Sequence, residues 1–103
     1  MKSRSQIQFE YRQVISQADK LEGCAEELQS VREQINALVD SLRSGWAGES
    51  ADMYYQKCSE LSQKINRSRT NLDQTVSVIR RTAKAYRDAE LAALRRAQQR
   101  DRD

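Results

Sequence analysis

Residues 44–49, Ser-Gly-Trp-Ala-Gly-Glu, interrupt a chain that otherwise has the composition and periodicity of continuous helix. They hold the only tryptophan and two of the three glycines, and they lie near the middle of 103 residues. Glycine permits a sharp reversal because it reaches positive φ without a Cβ clash, and an adjacent aromatic ring can cover the loop. We therefore predict one domain over 1–103, with a helix at 6–43, a turn at 44–49, a helix at 50–98 and a flexible basic tail at 99–103.

The composition supports an all-α fold and narrows the classes of function. Hydrophobic residues make up 38% of the chain and proline is absent, while the mean hydropathy of −0.90 is typical of long amphipathic helices. Without histidine, the chain lacks the usual zinc ligand and any imidazole-activated nucleophile. We expect no catalytic residue, no metal site and no cofactor. We expect Cys24 and Cys58 to be small buried hydrophobes, too far apart for a disulfide.

Apolar residues recur every seven positions along both arms, a spacing that predicts a coiled-coil seam on each helix. In the first arm the series is Ile7, Val14, Leu21, Leu28, Ile35 and Leu42, interleaved with Tyr11, Ala18, Ala25 and Val39, and with Arg32 at one interleaved position. In the second arm the series is Cys58, Ile65, Leu72, Ile79, Tyr86 and Ala93, flanked by Tyr54, Leu61, Val76, Ala83 and Ala97.

Two helices in contact leave part of each stripe uncovered. We therefore expect an antiparallel helix-turn-helix hairpin that pairs with a second chain in a four-helix bundle. The residues predicted to form the core and dimer seam are Val14, Leu21, Leu28, Ile35, Leu42, Leu61, Ile65, Leu72 and Ile79.

The amino terminus is positively charged but does not lead into the apolar core of a signal peptide. No stretch approaches the roughly 20 apolar residues that a membrane span needs. We expect a chain that is made in the cytoplasm and does not insert stably into a membrane.

Two motifs stand in order along the chain. Trp46-Ala47-Gly48 lies between the amphipathic helices, with Tyr54 eight residues after the tryptophan, and Tyr86-Arg87-Asp88-Ala89-Glu90 lies near the end of the second helix. In a chain of about one hundred residues, these features resemble the WXG family of small secreted helical hairpins, the early secreted antigen (ESAT-like) type. The basic end of the chain, residues 95–103, departs from what that family leads one to expect.

The resemblance implies a bacterial protein that is exported by the type VII (ESX) secretion system without a signal peptide. It implies a homodimer, or a heterodimer with another WXG-like protein or an effector, and the secretion ATPase as a further partner. Trp46 and Gly48 would form the turn motif, and Tyr86 with Glu90 the secretion signal. Folding about residue 46 or 47 would put residue 7 level with residue 86, so we expect Glu90 to be exposed on an overhang of the second helix.

Two other functions compete with export. A cytoplasmic coiled-coil adaptor would explain the heptads but not the two motifs. Nucleic-acid binding is suggested by the isoelectric point of about 9.1 and by the excess of basic residues in 45–103, twelve against eight acidic ones. Acidic residues interrupt the basic ones and no aromatic residues are interleaved, so we expect no nucleic-acid partner.

Overall fold

The computed structural model describes residues 1–102 and consists of two helices, α1 (Arg4–Arg43) and α2 (Glu49–Arg102), with no strand in that range. The predicted all-α helix-turn-helix fold is confirmed. Helix α1 begins two residues before the predicted start because the side-chain Oγ of Ser3 accepts a hydrogen bond from the backbone N–H of Gln6, at 3.2 Å. Ser3 and Gln6 have the spacing of a capping box, which the sequence analysis did not use.

Helix α2 begins one residue earlier and ends four residues later than predicted. Residues 99–102, which we assigned to a flexible tail, are helical, and Asp103 lies outside the described residues. The extension has a simple cause, because the segment contains no glycine or proline and three of its four residues are the strong helix formers Gln and Arg. No helix in the described part of the chain is long and apolar enough to cross a membrane.

The chain forms two compact units. The turn unit, Glu22–Asp73, contains the end of α1, the turn and the start of α2. Its apolar core consists of Val39, Ala51 and Tyr55, with Leu42 and Cys58 packed against them. This cluster lies next to the turn and holds the two helices together there.

Further from the turn, the same unit is held by polar side chains, which we call the polar layer: Gln29, Arg32, Asn36, Ser62, Asn66 and Arg69. Arg32 donates to the Ser62 hydroxyl at 3.1 Å and to the Asn66 side-chain oxygen at 3.2 Å. Ser62 donates in turn to the Asn36 side-chain oxygen at 3.3 Å, and Arg69 donates to the Gln29 side-chain oxygen at 3.1 Å. Side-chain hydrogen bonds therefore join the two helices at this level.

The terminal unit combines Met1–Leu21 with the chain from Gln74 onward. Ile7, Ala18 and Val76 are buried between its two helical segments. An ion pair of 2.8 Å between Arg80 and Asp19 joins the same segments at the surface.

In α1, the side chains that face the other helix belong largely to the series that we described as interleaved. Ala18, Ala25 and Val39 are buried, and small alanines allow the helices to approach closely. In α2, Val76 is the buried member of the flanking series, and the other buried side chains, Ala51, Tyr55 and Ser62, belong to neither predicted series. Of the predicted seam residues, Val14 and Leu61 are 41% and 49% exposed. The others are half-buried: Leu21, Leu28, Ile35, Leu42, Ile65, Leu72 and Ile79.

Cys24 was wrongly expected to be buried. It is exposed, and both Cys24 and Cys58 are free thiols. Cys24 directly precedes the buried Ala25, and consecutive helical residues point about 100° apart, which turns its thiol away from the helix contact.

Candidate functional site

The turn owes its shape to Gly48, whose φ is +119°. A Cβ built on Gly48 would meet no atom within 4 Å, so the requirement for glycine is conformational and not steric. The Gly48 carbonyl accepts a hydrogen bond from the backbone N–H of Asp52 at 3.0 Å, at the start of α2. Gly45 has no positive φ, so only one of the two turn glycines is demanded by the backbone.

Trp46 lies against two tyrosines of α2. Its ring centroid is 5.4 Å from that of Tyr54 and 5.9 Å from that of Tyr55. The Tyr55 hydroxyl donates to the Trp46 carbonyl oxygen at 2.6 Å, which ties the turn to the buried core, and the Arg43 guanidinium lies 5.1 Å from the Tyr55 ring centroid. Trp46 is still 39% exposed, so its ring both closes the turn and offers surface.

Tyr55 was not among the predicted site residues. A signal for it is present in the sequence, because Tyr55, Ser62 and Val76 lie at multiples of seven residues from one another, and the structure buries all three. Interaction with the Cys58 side chain raises the pKa of the neighbouring Tyr54 phenol above its ordinary value of 10.0.

The second motif borders an apolar groove of the terminal unit, lined by Ile7, Tyr11, Val14, Ile79, Ala83 and Tyr86. Tyr86 is 66% exposed and stands at the groove with Glu90 one helical turn further along. An exposed aromatic ring beside an apolar groove is a surface that a partner can bury.

Glu90 does not have the exposed position on an overhang that we expected. Its side chain is only 21% exposed and forms an ion pair of 3.3 Å with Lys2. The Arg87 guanidinium lies 4.1 Å from the Tyr11 ring centroid, whereas the predicted register put residue 7 level with residue 86. The register of the two helices therefore differs by about five residues from the one expected for a fold about residue 46 or 47. As a result, α1 still lies beside α2 at the level of Glu90.

A family model described as proteins of 100 residues with WXG matches residues 6–91. The match covers most of the chain and includes the Trp46–Gly48 turn and the Tyr86–Glu90 motif. This chain belongs to the WXG100 family. The WXG100 family is known for substrates of type VII secretion, and its members are small helical proteins that typically form dimers and are not enzymes.

No curated protein and no solved structure gives a significant match to this chain. Within residues 1–102, no group of three or more His, Cys, Asp or Glu side chains could hold a metal ion.

Proposed function

We propose that this chain is a substrate of the type VII secretion system that leaves the bacterial cytoplasm as a folded dimer, without a signal peptide. It acts as an exported protein in its own right or as the dimeric partner that targets an effector. The observation that carries the proposal is the WXG100 match over a span that holds both motifs, with Tyr86 exposed at an apolar groove.

Apolar side chains left open in the single chain support a dimer. Four aliphatic residues of the helices are 41–49% exposed: Val14, Val31, Leu38 and Leu61. A second chain would cover apolar surface of this kind.

The half-buried series supplies that apolar surface. The contact between α1 and α2 is made by buried alanines, by a few larger side chains such as Val39 and Val76, and by the polar layer. The aliphatic side chains of the predicted seam lie beside this contact with part of their surface exposed. Leu28 and Leu72, for example, are half-buried in the single chain. Burying these side chains against a second hairpin completes a four-helix bundle with a continuous core.

A homodimer is the simplest assembly, because two copies present the same surface to each other about a two-fold axis. A heterodimer with another WXG-like protein or an effector uses the same apolar series. In either assembly, Trp46 and Gly48 form the turn motif and Tyr86 with Glu90 form the secretion signal that the secretion ATPase reads.

The test is export from the source bacterium. Tyr86→Ala and Glu90→Ala chains are expressed there, and the amounts in culture supernatant and cell lysate are compared. Phe9→Ala is the matched control, since Phe9 is an exposed aromatic residue of the terminal unit that lies outside both motifs. We expect the two motif variants to remain in the cell as folded dimers and the control to be exported.

Export of both motif variants at the level of the unsubstituted chain would overturn the assignment of the signal. Native mass of the retained variants shows whether the dimer is intact, so that loss of export is not confused with loss of assembly. An unsubstituted chain that stays in the lysate would favour the coiled-coil adaptor.

A further inference from the structure

The amino terminus of the chain reaches the secretion signal. The Lys2 ammonium lies 2.7 Å from a carboxylate oxygen of Glu10 and 3.3 Å from a carboxylate oxygen of Glu90. One cation is therefore shared between a residue of α1 and the acidic residue of the motif.

Glu90 depends on Lys2 for its counter-charge. The carboxylate borders the apolar groove, where an uncompensated charge is unfavourable. The nearby Arg87 is engaged elsewhere, with its Nε donating to Asp88 at 3.1 Å and its guanidinium over the Tyr11 ring. Among residues 1–102, Lys2 is the cation that forms an ion pair with Glu90.

We propose that Lys2 is a latch over the secretion signal: it occupies the Glu90 carboxylate, and a receptor must displace it with a cation of its own. The inference rests on the proposed role of Glu90 in export. The partner surface that fits is an arginine or lysine side chain beside an apolar pocket, the cation for Glu90 and the pocket for the exposed ring of Tyr86.

The Glu10 carboxylate can keep the Lys2 ammonium paired after the receptor displaces it from Glu90. Its oxygen is nearer to Lys2 than that of Glu90, 2.7 Å against 3.3 Å, so Lys2 stays paired when the receptor takes Glu90. The number of ion pairs is unchanged by the exchange, because the pair between Lys2 and Glu90 is replaced by one between the receptor cation and Glu90. The latch is weak enough to open, because the Lys2 side chain is partly exposed and such pairs contribute little to stability.

Lys2 and Glu10 should therefore act in opposite directions. Lys2→Met removes the latch and exposes Glu90, so the receptor binds more tightly. Glu10→Gln removes the competing carboxylate and leaves Lys2 on Glu90 alone, so the receptor binds less tightly. Lys2→Arg keeps the charge and should behave as the unsubstituted chain.

The first measurement is the accessibility of the Glu90 carboxylate in the full-length folded chain, by modification with a carbodiimide and glycinamide followed by peptide mass spectrometry. We expect modification of Glu90 to rise in Lys2→Met and to fall in Glu10→Gln. Glu26, an exposed carboxylate of the turn unit, is the internal reference. Equal modification of Glu90 in all variants would overturn the latch.

The second measurement is binding to the purified secretion ATPase of the source bacterium. We expect Lys2→Met to bind about two- to fivefold more tightly, the range that an exposed ion pair can supply, and Glu10→Gln to bind more weakly. If Glu90→Gln weakens binding but Lys2→Met does not tighten it, the latch is wrong and the proposed signal stands. If Glu90→Gln has no effect, Glu90 is not read, and both the signal and the latch fall.

Discussion

Replacing Tyr55 with phenylalanine removes one hydroxyl and leaves the buried ring in place. That hydroxyl donates to the Trp46 carbonyl oxygen at 2.6 Å, so the variant isolates the bond that joins the WXG turn to the core. The net contribution of such a hydrogen bond is about 0.5–1.5 kcal/mol. The hydrogen bond is only partly buried, so the cost should remain near 1 kcal/mol and not approach that of a fully buried unsatisfied group.

The assay is thermal unfolding by circular dichroism at fixed protein concentration. A loss of 1 kcal/mol lowers the melting temperature by about 4–8 °C in a domain of this size. Tyr54→Phe is the matched control, because Tyr54 is the adjacent tyrosine of α2 and is 38% exposed, whereas Tyr55 is 8% exposed. We expect its melting temperature to change by less than half as much.

Two results would refute the reasoning about the turn. One is a Tyr55→Phe variant that melts with the unsubstituted chain, which would mean that the bond to Trp46 contributes nothing. The other is an equal loss of melting temperature in Tyr54→Phe. That result would mean that removing the more exposed Tyr54 hydroxyl costs as much stability as removing the Tyr55 hydroxyl.

Three further predictions concern the turn, the latch and the dimer. Gly48→Ala should lose about 1–3 kcal/mol because alanine is strained at a φ of +119°, whereas Gly45→Ala should be neutral or slightly stabilising in the same unfolding assay. Glu10, and to a lesser degree Glu90, raise the pKa of Lys2 above its ordinary value of 10.5. The stability that these ion pairs add is therefore fully present below pH 10.5 and is lost as the pH rises through the raised pKa. The difference in melting temperature between Lys2→Met and the unsubstituted chain should become smaller over that rise. Leu72→Ala should cost about 2–5 kcal/mol in the dimer, and its melting temperature should depend on protein concentration; an unchanged melting temperature would contradict the dimer seam.

The sequence was sufficient to predict the two helices, because the turn glycines and the lack of proline mark a single interruption. It was less informative about which series of side chains faces the other helix. A heptad pattern contains two neighbouring series of apolar residues. We assigned the helix contact to the series with the larger aliphatic side chains. Along α1 the structure buries Ala18 and Ala25 of the other series, because close approach of the helices requires small side chains.

The contacts of Glu90 could not be predicted from the motif. They depend on the register of the two helices and on the position of Lys2, which belongs to no heptad and no motif. A register error of about five residues was enough to change the expected exposed carboxylate into a partly covered, ion-paired one. Tyr86 also lines the groove but is 66% exposed.

The most direct test of the account is export of the unsubstituted chain in the source bacterium and in a strain that lacks the type VII secretion ATPase. Culture supernatant and lysate are compared by immunoblot, with a cytoplasmic enzyme as a marker of lysis and a signal-peptide-bearing protein as a marker of general export. We predict that the chain is present in the supernatant of the parent strain and confined to the lysate of the ATPase-deficient strain. Equal amounts in the two supernatants, with both markers unchanged, would contradict the proposed function.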